Sequence, residues 1–158
     1  MRSAPESLVQ TQIAQHLANA GAIVFLETSV RDILKIAAGG IPDGNERGRV
    51  DIAVYYKSKN KRACPRFVIE VKKLTTHHSL DQDFQRIVEL LKRCPDIQNG
   101  IMVGYGTAMN EETAIGKVEA VTEHLQCKRV LMFSPKSVTG LDGRQRFLVA
   151  GVFRVGRN

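Results

Sequence analysis

Eight residues near the middle of the chain, Arg66 to Lys73 (RFVIEVKK), constrain the fold more than any other stretch. Side chains alternate across a strand, so Phe67, Ile69 and Val71 share one face, and Val68, Glu70 and Lys72 share the other. A strand this apolar is expected at the centre of a sheet, where an ionised carboxylate and an ammonium each cost several kcal/mol unless compensated. The Cα atoms of Glu70 and Lys72 fall roughly 6.6 Å apart at a rise of ~3.3 Å per residue. On an isolated strand such a pair is usually a solvated ion pair worth ~0–1 kcal/mol. What else converges on it decides between that reading and a functional one.

Asp51 is the residue that converges. It lies in the preceding strand, Arg49 to Tyr56 (RVDIAVYY), directly after the turn-forming stretch Pro42 to Gly48 (PDGNERG). If the two strands pair, Asp51 arrives beside Glu70. Two carboxylates brought together without a cation repel, whereas a hard divalent ion takes such oxygens and keeps its other positions for water and phosphate.

The remaining pattern predicts an α/β fold, a mixed sheet flanked by helices in a single domain over residues 1–158. Leu8, Val9, Ile13, Leu17 and Ala20 recur at helical spacing from Pro5 to Ala20, with Gly21 as the stop. Ala22 to Glu27 reads as a short buried strand, and a short helix is expected around Asp32 to Ala37. A long amphipathic helix is predicted over Ser79 to Arg93, with Ser79 as its cap and Pro95 beyond its end. A strand at Gly100 to Gly104, a helix at Glu111 to Leu125 and strands at Arg129 to Phe133 and Arg146 to Val155 complete the order. The helix between Lys73 and Gly100 favours parallel strands on either side of it, and the earlier strands are expected to be linked as hairpins.

Asp51 followed nineteen positions later by Glu70-Val71-Lys72 resembles the signature of the PD-(D/E)XK, or restriction-endonuclease-like, nuclease superfamily. The surrounding order is similar too: a helix ahead of the motif, the acidic pair on adjacent strands, then a helix and a strand. Val50 stands where the nominal motif has proline, and the literal Pro42-Asp43 pair in the turn reads as a decoy. The resemblance implies that Asp51, Glu70 and the backbone carbonyl of Val71 bind Mg²⁺ or Mn²⁺. Lys72 would orient or deprotonate the attacking water and offset charge in the transition state. Glu6, in the first helix, would complete a second metal shell, although an acid in a first turn also complements the helix dipole. Gln85 is a further contributor by the same resemblance. The chemistry has its own logic: phosphodiester hydrolysis needs a nucleophile at neutral pH and cations on developing oxyanions.

Charge agrees with a polyanionic partner. Lys plus Arg number 23 against 16 Asp plus Glu, a formal +7, and each cation facing a phosphate releases counterions. Lys57, Lys59, Lys61 and Arg62 in the loop after the Asp51 strand, together with Lys73 and the late Arg144, Arg146, Arg154 and Arg157, are the expected phosphate contacts; plain solvated faces are the competing reading. With no Trp and 6% aromatic residues, a stacking platform for single strands is disfavoured. His77-His78 lacks the i, i+4 spacing of a helical zinc pair and is read as loop. Three cysteines without a Cys-x-x-Cys pair point to a reducing, cytoplasmic setting, and no apolar run reaches membrane-spanning length.

The expected partner is DNA, with RNA as the related substrate class, and no membrane. One active site cuts one strand, so a homodimer suits the chemistry. The leading reading is a metal-dependent deoxyribonuclease of the endonuclease kind, cutting phosphodiester bonds by in-line attack of a metal-activated water. The alternative is a non-catalytic nucleic-acid-binding or assembly protein that retains the fold.

Overall fold

In the computed structural model, which describes residues 5–38, 48–55, 65–74, 78–125, 127–140 and 142–156, the elements run α1 (Glu6–Asn19), β1 (Ile23–Ser29), α2 (Val30–Ala38), β2 (Arg49–Tyr55), β3 (Phe67–Lys73), α3 (His78–Arg93), β4 (Asn99–Ala108), α4 (Glu111–Leu125), β5 (Lys128–Thr139) and β6 (Gln145–Val155). The strands form one mixed sheet in the order β1-β2-β3-β4-β6-β5. Only β3 and β4, joined through α3, run parallel; every other neighbouring pair is antiparallel. A helical crossover permits that parallel pair, as its length in sequence requires. The apolar strand β3 is interior, as its composition predicts.

The alternation of β3 divides two cores. Val68 faces the larger one, with Ile33 and Leu34 of α2, Ile87, Leu90 and Leu91 of α3, and Val118 and Val121 of α4. Ile69 and Val71 face the smaller one, where Val9, Ile13 and Leu17 of α1 pack against Ile52 and Val54. The spacing of those three α1 residues puts them on one stripe of the helix. The helix stops at Gly21, whose φ of +88° is a left-handed conformation that glycine adopts without steric cost.

Three expectations are corrected. The run Ala22 to Glu27 is not a buried strand: β1 is the sheet's edge and leaves Phe25 55% and Leu26 44% exposed. Nor does β4 end at Gly104. The glycines there serve close packing, since a Cβ on Gly104 would lie 2.8 Å from Cδ2 of Leu74, which is one of the uses of glycine inside a strand. Likewise β5 continues past Phe133, because Ser134-Pro135 falls in the register shift between Phe133 and Lys136 on the outer strand, where a bulge and a proline are both tolerated.

The sheet is covered unevenly. Helix α1 packs on β1, β2 and β3, while α4 packs on β4, β5 and β6 from the other side. Leu131 and Phe133 of β5 and Leu148 of β6 therefore remain exposed. No helix among the described residues is long and apolar enough to cross a membrane.

Candidate functional site

The site begins where β2 and β3 part. Their ladder holds Val54↔Phe67, Ala53↔Val68 and Ile52↔Ile69 and goes no further. One step on, Asp51 stands across from Glu70, but its side chain turns to the neighbouring strand and Oδ2 accepts the Val71 N–H at 2.6 Å. Two residues later the Lys73 N–H donates to Oε1 of Glu6 at 3.0 Å. On the other side of the strand the Leu74 N–H donates to the Tyr105 carbonyl. Carboxylates from α1 and β2 thus replace the backbone acceptors that a longer β2 ladder would supply, and satisfy donors that would be costly to leave unpaired.

Glu70 lies deep in this frayed region, 2% exposed. Burial pushes its carboxyl up to about 8, and the Asp51 charge adds to the rise; the Arg86 hydrogen bond opposes it, and Asp83 adds to it again. Such a shift marks negative charge without full compensation. Nη1 of Arg86 is 2.8 Å from Oε1 of Glu70 and 3.0 Å from Oδ1 of Asp83. The same nitrogen also donates to the Arg49 carbonyl at 3.2 Å. Gly48 leaves room for this side chain: a Cβ there would lie 3.1 Å from Arg86 Nε.

Lys72 projects on the Glu70 side of β3, and its Nζ lies 2.8 Å from Oδ2 of Asp83. Burial pulls the ammonium pKa down, but the hydrogen bond and charge of Asp83, with Glu6 and Asp51 behind them, outweigh it and hold Lys72 above its ordinary value. The group is a fixed positive charge at neutral pH. Three acids, Asp51, Glu70 and Asp83, and two cations, Lys72 and Arg86, therefore share one end of the β2–β3 junction.

The donor set suits a hard divalent ion. Asp51 and Glu70 supply carboxylate oxygens, and the Val71 carbonyl leaves β3 on the same side as the N–H that Asp51 accepts. A cation there would also offset the burial and the Asp51 charge that hold Glu70 so high. Among the described residues no three of His, Cys, Asp and Glu form a ready ligand cluster. An ion would rest on two carboxylates, a carbonyl and water, a sparing protein contribution that Mg²⁺ accepts.

Of the remaining residues expected at the site, Glu6 is drawn in through Lys73, while Gln85 is exposed on α3, a full 100° of helix from Arg86 by the geometry of 3.6 residues per turn. Lys57, Lys59, Lys61, Arg62 and Arg157 lie outside the described residues, as do the Pro42-Asp43 pair, His77 and the side chains of His78 and Ser79. Arg146 pairs with Asp142 at 2.8 Å, and Arg144 and Arg154 are exposed. Asp83 was missed from sequence. Its signal was position: it sits three residues after Leu80 and four before Ile87, both buried, so a charge occupies the apolar stripe of α3 where charges are rarely found unpaired.

Comparison with family models, with curated proteins and with solved structures finds no match to this chain.

Proposed function

We propose that this protein is a divalent-metal-dependent nuclease with a restriction-endonuclease-like core, hydrolysing phosphodiester bonds of DNA. The observation that carries the reading is the convergence of Asp51 and Glu70, from two strands that part at that point, with Lys72 two residues further along β3. Asp51, Glu70 and the Val71 carbonyl would hold Mg²⁺ or Mn²⁺. When bound, the ion supplies Lewis acidity and a nucleophile at neutral pH. Lys72, kept charged by Asp83, places a positive charge where the phosphoryl oxygens gain negative charge. That role replaces proton abstraction, because an ammonium with a raised pKa is a poor base. Glu6 steadies the end of β3 through Lys73 and adds negative charge near Lys72. The formal +7 supports a polyanionic substrate.

The test is cleavage of linear, nicked, branched and single-stranded DNA, with RNA in parallel, in Mg²⁺ or Mn²⁺. Cleavage is expected in the wild type and lost in Asp51→Ala, Glu70→Ala and Lys72→Ala proteins that still fold. Substrates left intact by folded wild type with either ion would remove the catalytic reading. A non-catalytic nucleic-acid-binding protein then becomes the better account, and one observation favours it: Glu70 is already paired with a cation of the chain itself, Arg86.

A further inference from the structure

We infer that Arg86 is the resident counter-cation of Glu70 in the metal-free protein, and that a divalent ion entering at Asp51 and Glu70 takes its place on that carboxylate. The inference rests on the metal reading proposed above and adds a means of regulating that site. Glu70 is 2% exposed, so its carboxyl group needs a polar partner within the protein whenever metal is absent. Arg86 provides it from α3, 2.8 Å away.

The grip is built to be released. Nη1 of Arg86 carries two hydrogens but faces three acceptors: Glu70 Oε1, Asp83 Oδ1 and the Arg49 carbonyl. Giving up Glu70 leaves one acceptor for each hydrogen, so the guanidinium keeps its place against Gly48 and loses little. Keeping Glu70 alongside a divalent ion would instead set like charges a few ångströms apart in a partly buried site. The contact with Glu70 and occupancy by the ion therefore exclude one another, and Asp83 retains both Arg86 and Lys72 throughout.

The experiment uses full-length protein labelled with ¹⁵N-arginine and titrated with Mg²⁺, binding being followed in parallel by calorimetry. The Arg86 guanidinium signal is assigned by its loss in Arg86→Lys. It is expected to be slowed in hydrogen exchange without metal and to shift or broaden as Mg²⁺ saturates, with no change in Asp51→Asn at the same concentration. Arg86→Met is expected to bind Mg²⁺ about tenfold more tightly than wild type, the gain from removing a charged hydrogen bond that competes for the ligand. If calorimetry shows Mg²⁺ bound while the Arg86 signal stays fixed, or if Arg86→Met binds no more tightly, the counter-cation role is overturned and the metal reading stands. If neither wild type nor Arg86→Met binds Mg²⁺, the metal reading itself fails and the inference fails with it.

Discussion

Nζ of Lys72 lies 2.8 Å from Oδ2 of Asp83, so the ammonium at the end of β3 is anchored by a carboxylate of α3. Asp83 is the only acid in contact with both Lys72 and Arg86 among the described residues. Asp83→Asn is expected to lower the Lys72 pKa, since the hydrogen bond and charge that outweigh its burial are weakened. A loss of about 1–3 kcal/mol in stability should accompany it, from partly buried charges left short of partners. Side-chain NMR of Lys72 and urea unfolding measure the two effects. An unchanged Lys72 titration would show that Asp83 does not set its charge.

The pH dependence of stability follows from Glu70. Its folded pKa of about 8 exceeds the ordinary 4.5, so the folded state binds the extra proton. The associated stability is fully present below about 4.5 and is lost as pH rises through about 8. In chelator, wild type is expected to lose on the order of a few kcal/mol across that window relative to Glu70→Gln. Mg²⁺ should restore stability chiefly at the alkaline end. Parallel urea melts at pH 5 and pH 9 decide it; equal slopes for the two proteins would assign the pH dependence elsewhere.

Glu6 separates a structural from a catalytic contribution. Glu6→Gln keeps an acceptor for the Lys73 N–H, whereas Glu6→Ala removes it. The alanine variant is expected to be about 1 kcal/mol less stable than the glutamine variant. If Glu6 acts only by holding β3, the glutamine variant retains cleavage; if its charge serves a metal shell, both variants lose it. Melting temperatures and cleavage rates of the pair distinguish these outcomes.

The placement of α3 over the sheet depends on Gly100. A Cβ there would collide with the Ile87 side chain and lie 3.2 Å from Cδ1 of Leu91, both fully buried residues. Gly100→Ala is expected to destabilise by about 1–3 kcal/mol, the usual cost of overpacking. Because α3 carries Asp83 and Arg86, the variant should also weaken the Glu70 and Lys72 contacts. For comparison, Phe153→Ala should cost about 3–5 kcal/mol, and Phe133→Ala, at an exposed position, well under about 1 kcal/mol. Chemical denaturation orders the three, and a Gly100→Ala protein as stable as wild type would mean that Ile87 repacks freely.

Local periodicity made much of the architecture readable. The period-two alternation of Phe67 to Lys73 and the helical stripe from Leu80 to Leu91 depend only on which side chains avoid water, and these elements stand where the pattern places them. The exposure of β1 is not legible in the sequence, because an apolar run looks alike in an interior strand and an edge strand. Burial is a property of neighbours, and the neighbours of Ile23 to Ser29 are one strand rather than two.

By itself the sequence determined the alternation that sets Glu70 and Lys72 on one face, the acid at Asp51 on the preceding strand and the surplus of positive charge. Only the tertiary structure decided that the β2–β3 ladder ends at the Ile52–Ile69 pair, that Asp51 and Glu6 then take the vacated N–H groups, and that Asp83 and Arg86 of α3 reach the same acids and ammonium. The physical reason is range. A residue's preference for water or core is written in its own chemistry and its near neighbours, whereas a charge is matched by whichever group folding brings within a few ångströms, here from sixteen positions along the chain for Arg86 and Glu70.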